Sequence, residues 1–260
     1  MRSGGRPGTT AANGQRADRV VGAPAARVRL PGSSWGSPLR REVPRGRHGF
    51  PLDQVSTFQR VRLLDAFVAE VAERGFPGTR VAQVCTIAGA STKAFYAAFG
   101  TKDDCLLHAF DVGAGILCHH AAIAFRRRDG SLPDRVGAAV DTMLAILAAN
   151  PPFTRVALLE VPRLGPAGGD RFDMALERFR AGVGLGPTGP RTTTDPGDSL
   201  SVLLGGALRL LAGYVVAGRT DKLAEAAPQL VRWAAVWTAA RDEREVAAPG
   251  RPASRAGRIG

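Results

Sequence analysis

Three glycines, Gly75, Gly89 and Gly100, cut residues 55–127 into helical lengths that few folds can use. The stretch before the first, "VSTFQRVRLLDAFVAEVAER", sets Phe58, Val61, Leu64, Val68 and Val71 three and four residues apart, with Phe67 widening the stripe. That spacing predicts an amphipathic helix over 55–74. Gly75 stops it, because glycine takes the left-handed cap without steric cost, and Phe76 can then fold back on the last turn. Thr79 stands as the N-cap of a short helix, "RVAQVCTIA", which Gly89 closes. Ser91 caps a second short helix, "TKAFYAAF", which Gly100 closes. Thr101, with Asp104 three residues on, reads as a capping box opening a fourth helix that runs to about Phe125. Long, short, a tight break, short, long: this is the order of a helix-turn-helix braced by a first helix.

The second short helix has two faces. Phe95 and Phe99, four apart, face inward toward Val81, Val84 and Leu64. Thr92, Lys93, Tyr96 and Ala97 point away. A recognition helix reads base edges from its N-terminal end. Lys93 is therefore the candidate donor to guanine O6 or N7, and the Thr92 methyl the candidate contact to thymine. The Tyr96 hydroxyl, one turn on, is placed for a phosphate. Lys102 and Thr79 start neighbouring helices, where converging N–H groups favour phosphate. Arg80, Ser91 and Ala94 complete the candidate DNA-binding set. Lysine is otherwise almost absent. Lys222 is the third and last, and the 35 Lys plus Arg less these three leave 32 arginines.

The block from Val61 to Asp111, "VRLLDAFVAEVAERGFPGTRVAQVCTIAGASTKAFYAAFGTKDDCLLHAFD", resembles the DNA-binding domain of the TetR family of bacterial transcriptional regulators. The shared features are "LLDAF…AERGF", Thr79, Val81 and Val84, "AGAS", "FY", Phe99 and "TKDDCLL". The resemblance implies a homodimer that sets two helix-turn-helix units into adjacent major grooves of a palindromic double-stranded DNA operator. It also implies an all-helical C-terminal domain that takes up a small-molecule effector. Ala97-Ala98 departs from the family pattern, in which bulky polar or aromatic groups are usual, and so predicts a sparse set of base contacts.

Net charge, +12, looks like a nucleic-acid signal until it is located. Residues 1–50 hold ten arginines against Asp18 and Glu42, whereas 51–240 hold 20 basic and 18 acidic residues. Gly, Pro, Arg and Ser dominate residues 1–50 without a lasting period, which predicts a disordered basic arm. Residues 241–260 read as a disordered tail, and 182–199 as a long loop. The expected layout is an arm over 1–50, a helix-turn-helix domain over 55–100, a helical effector-binding and dimerisation domain over 101–240, and the tail.

In the second domain, residues 133–150 place Val136, Val140, Met143, Leu144 and Leu147 on one side of a helix that Pro151-Pro152 breaks. By the same resemblance, the helices here enclose the effector. Phe110, Met143, Leu147, Phe153, Phe172 and Met174 are the candidate pocket walls. Residues 199–218 and 223–240 are apolar nearly all round, which suits a buried or interfacial helix pair. Leu203, Gly206, Leu210, Tyr214, Trp233 and Trp237 are the candidate dimer contacts, the small residues admitting a close partner helix and the tryptophans anchoring it.

No cofactor is expected, and no metal. Cys118, His119 and His120 are adjacent on a helix and splay about 100° apart, and the three cysteines show no CxxC. No catalytic constellation stands out, so an enzyme is not expected. No run of 18 apolar residues calls for a membrane span, and the N-terminus lacks a signal-peptide apolar run, so the expected place is the cytoplasm. The fold expected is all-α. The expected function is a dimeric regulator, a repressor before an activator. The competing class is a helical adaptor or enzyme that uses the helix-turn-helix only for packing.

Overall fold

The computed structural model describes residues 27–33, 52–184 and 197–236. The described residues are helical apart from turns and the segment 27–33, with no strand among them. The helices are α1 (Leu52–Gly78), α2 (Val81–Ala88), α3 (Thr92–Phe99), α4 (Lys102–Arg127), α5 (Leu132–Ala149), α6 (Pro151–Leu164), α7 (Pro166–Gly182) and α8 (Gly197–Val216). A 3-10 turn over Thr220–Ala226 and a helix over 227–236, α9, follow. The fold is all-α, an N-terminal helix-turn-helix followed by a helical domain.

The local signals act as their chemistry dictates. Gly75, Gly89 and Gly100 have φ of 73°, 60° and 73°, and each breaks the helical path. At Gly75 the chain kinks, and Phe76 turns its ring edge-on to Phe67 at 6.5 Å. Thr101 and Asp104 form the capping box of α4. A second box, Ser131 with Asp134, starts α5, and hydrogen bonds from Ser131 hold the Asp134 carboxyl below its ordinary pKa. Pro151-Pro152 ends α5, and α6 leaves at 107° to it. Within α6 the winding passes from α to a π turn over Val156–Glu160 and then to 3-10 over Val161–Leu164.

α4 is the spine. It packs along α5 and α7, and α1 packs on α2 and on the start of α6. By length and composition α4 could cross a bilayer. Here Leu106, Ala109, Phe110, Ala114 and Leu117 are buried among its neighbours. An ion pair of 2.8 Å joins Arg171 on α7 to Asp111 on α4. One continuous core runs from Leu63, Phe67 and Phe95 through Leu106 to Ile146, Phe153 and Leu223. It therefore crosses the boundary between the two expected domains.

Three expectations change. Phe58 and Val61 are 60% and 57% exposed, and the buried face of α1 starts only at Leu63 and Leu64. The stripe is longer than the surface it meets. Met174 is 43% exposed and stands outside the interior that Phe110, Leu147 and Phe153 enter. Residues 27–33, read as part of a disordered arm, are packed on the body with Leu30 at 2% exposure. Trp237 and the arms outside 27–33 lie beyond the described residues.

Candidate nucleic-acid interface

The short helix α3 divides as its spacing demands. Phe95 and Phe99 are buried, while Ser91, Thr92, Lys93, Tyr96 and Ala97 are exposed and Ala94 is half-buried. Phe95 anchors an aromatic cluster, 6.2 Å from the Phe67 ring and 5.4 Å from those of Phe99 and Tyr96. The Ser91 hydroxyl accepts from the Ala94 N–H at 3.1 Å and fixes where α3 begins. Ser91→Ala should lower stability by about 1 kcal/mol in urea titrations. An unchanged midpoint would mean that the cap does not hold the helix.

Glycine is required at Gly89, the turn between α2 and α3. Its φ of 60° and ψ of 44° are left-handed, and a Cβ there would come within 2.7 Å of Arg62 Nη2. The Arg62 guanidinium donates to the Ala88 carbonyl at the same turn. Arg60 donates to the Ala98 carbonyl at 2.6 Å and lies over the Phe99 ring. Both arginines satisfy carbonyls at helix C-termini, where cations are favoured. Sequence reasoning gave them no role, since each reaches across 26 or 38 residues.

Lys102 takes up a different task from the phosphate clamp expected of it. Its ammonium donates to the carbonyls of Phe76 at 2.9 Å and Thr79 at 3.3 Å, and stands 4.3 Å from the Phe76 ring centre. It ties the start of α4 to the turn between α1 and α2. Thr79 is also corrected. Arg80, not Thr79, is the N-cap of α2 and contributes no side-chain bond. Thr79 is buried at 3% exposure, and its hydroxyl donates to the Gly75 carbonyl at 2.9 Å. The kink at Gly75 leaves that carbonyl open and draws the hydroxyl inward.

The charge that remains free is small. Arg74 pairs with Glu70 at 2.6 Å, and Arg60, Arg62 and Lys102 are committed to carbonyls. Among the described residues of the block 60–102, Arg80 and Lys93 are the exposed cations left without a partner in the chain. One stands at the start of α2 and the other in the first turn of α3. Thr92, beside Lys93, bonds the Cys85 thiol, which burial pushes above its ordinary pKa against that bond. His108, packed at 5.8 Å on Phe99, is held below its ordinary pKa by burial and by Arg60, against the pull of Asp111.

Of the expected effector walls, Phe110, Leu147 and Phe153 are buried, and Met143 and Phe172 half-buried. Phe110 and Phe172 stack at 4.6 Å, and the Phe153 ring fills the place beside Gly113. A cavity of about 490 Å³ lies at the junction of α1, α2 and the segment 27–33, lined by Arg29, Glu70, Arg74, Gln83 and Pro152 among others. Of the expected dimer contacts, Leu203, Gly206, Leu210, Tyr214 and Trp233 are all half-buried, and a Cβ at Gly206 would stand 3.5 Å from the Trp233 ring. Val202, Val216 and Val236 nearby are more than 70% exposed.

The family model for "bacterial regulatory proteins, tetR family" matches residues 63–109, from the first buried turn of α1 into α4. No curated protein matches the chain. Among solved structures, the transcriptional regulator FadR from Bacillus subtilis, in complex with stearoyl-CoA, superposes with a TM-score of 0.52 at 14% identity, over 66% of this chain and 95% of that one. A putative TetR-family transcriptional regulator from Mesorhizobium loti gives 0.48 at 19% identity, over 70% and 97%. A TetR family transcription regulator from Marinobacter aquaeolei gives 0.48 at 22%, over 71% and 98%. At 14% identity the likeness to FadR is one of fold. Residues 63–109, which fold as this helix-turn-helix, match the family model of the tetR bacterial regulatory proteins.

Proposed function

We propose that the protein is a transcriptional regulator, a repressor, that binds a palindromic operator as a homodimer and is released by a small-molecule effector. The observation that carries this reading is the division of α3: two phenylalanines bury one face, and Thr92, Lys93, Tyr96 and Ala97 offer the other. Thr92 and Lys93 read base edges. Arg80 and Tyr96 take phosphate, and Ser91 and Ala94 fix the register of the helix. Lys102 holds the reading unit to α4.

The half-exposed apolar surface of α8 and α9 supports the dimer, because one chain leaves Val202, Val216 and Val236 in water. Two-fold symmetry in the protein then matches the palindrome. The effector enters among α4, α5, α6 and α7, displacing Phe153 or Phe172 from the packed interior. FadR, solved with stearoyl-CoA, has the same fold. Because Lys102 bonds the carbonyls before α2, any shift of α4 is passed to the reading unit. The effector must bind the two positions of α4 with different affinity for this to act as a switch.

The test is a gel shift on DNA upstream of the gene. Lys93→Ala should reduce the preference for operator over scrambled DNA by about tenfold or more, since one good base contact is worth about 1–3 kcal/mol and a dimer has two. An unchanged preference would remove Lys93 from base reading. In the same titrations, Arg80 as the one free cation per subunit on phosphate predicts a log–log salt slope of about −2 for the dimer, at about 0.9 per phosphate neutralised. A much steeper slope would place the arginine-rich arm on the DNA as well.

A further inference from the structure

The segment 27–33 sits in the seam where α1 meets the corner between α5 and α6. Asn150 occupies that corner and is fully buried. Its Oδ1 accepts from the Leu30 N–H at 3.0 Å and from the Ser33 hydroxyl at 2.5 Å. Its Nδ2 donates to the carbonyls of Val28 at 3.0 Å and Ile146 at 2.7 Å. All four bonding positions of one buried amide are filled, three of them by the segment. On the opposite side, the Gly32 N–H donates to Asp65 Oδ1 of α1 at 2.6 Å.

Gly32 marks how closely the parts approach. Its φ is +87°, and a Cβ there would stand 2.6 Å from Val68 Cγ1 on α1 and 3.3 Å from Pro152 Cβ on α6. The segment touches the DNA-binding unit on one flank and the helical domain on the other. Leu30, between them, joins the common core. A passive tail needs none of these contacts.

We infer that residues 27–33 are a pin that fixes the DNA-binding unit against the helical domain, with Asn150 as its socket and Asp65 as its second anchor. α1 carries α2 and α3, while the helical domain carries the surface assigned to the dimer. The angle between them therefore sets the distance between two α3 helices. This last step rests on the operator-binding reading; the pin itself does not.

The test removes the pin in two ways, by Gly32→Ala, which strains the left-handed backbone and collides with Val68, and by deleting residues 1–33. The first measurement uses no DNA. Spin labels at Thr86→Cys on α2 and Met174→Cys on α7, both exposed positions, report the distance between the two parts, with labelled chains diluted in unlabelled protein. The native cysteines are buried. A single narrow distance should broaden in both variants while their helical circular dichroism is kept. Equal widths with and without the pin would overturn it. Unfolding of both variants would overturn it too, by making the segment an ordinary part of the core.

The second measurement uses the tightest duplex recovered from a random-sequence library. Moving its half-sites one base pair apart should weaken wild type by about tenfold or more, within the range of couplings between sites, and should weaken the pin variants much less. Equal penalties would overturn the positioning role, since a loss of stability alone does not change a spacing preference. If wild type binds no duplex while the labels still broaden, the operator reading fails and the pin stands.

Discussion

Phe95→Ala should unfold the α2–α3 pair, at a cost of about 3–5 kcal/mol, the range for truncating a buried phenylalanine. Phe95 is fully buried and touches the rings of Phe67, Tyr96 and Phe99. α3 is only eight residues long. An isolated helix of that length does not hold in water, because nucleation costs more than so few bonds return. Nearly all of its stability is therefore tertiary, and Phe95 is its deepest contact. A domain with about 5–15 kcal/mol in total loses a large part of it. Urea unfolding should show the loss, and amide exchange should place it first in α2 and α3. Phe95→Leu, which refills much of the space, should cost clearly less. Equal losses for the alanine and leucine variants would mean that the cavity is not the cause.

The second large effect is expected at Gly113→Ala on α4. A Cβ there would stand 2.1 Å from Phe153 Cε2 and 2.2 Å from its Cζ, closer than atoms can pack. Phe153 is 1% exposed, so its ring moves only if its neighbours move with it. Either α4 moves or the ring turns off its preferred rotamer, at about 1–3 kcal/mol or more. Phe153→Leu in the same chain should restore most of that loss. Strict additivity of the two changes would show that the residues do not meet, since contacting pairs couple by about 0.5–3 kcal/mol. Because α4 starts at Lys102, tied to the Phe76 and Thr79 carbonyls, the proposed operator-binding function predicts that the same variant also changes DNA affinity in gel shifts.

What the sequence made legible was what its chemistry settles within a few residues. Ser91 reaches Ala94, Thr101 reaches Asp104, and Gly89 needs only its own backbone. Each is recognisable from its neighbours. The two faces of α3 follow from a four-residue spacing. Lys102 was different. Its position at a helix start suits a phosphate, but its ammonium bonds carbonyls 23 and 26 residues away. Arg60 and Arg62 are of the same kind. Nothing near a flexible cation in sequence says which carbonyl it will meet. Phe58 and Val61 fit the periodic stripe, but periodicity cannot say where the partner surface ends. Asn150 before Pro-Pro was readable as a helix stop and nothing more.

The pin joins the first part of the chain to its middle, with Leu30 and Asn150 standing 120 residues apart. The ribosome delivers Leu30 early and its socket late. At about 5–20 residues per second, the gap amounts to about 6 to 24 s. During that time α1 can form and begin to pack while its seam stays open and Leu30 has no place to go. The pin thus closes only once the middle of the chain has been made, with α7 and α8 still to come. A nascent chain truncated before residue 150 should expose an apolar leucine that the finished protein hides, and that is the stage at which a chaperone would find it.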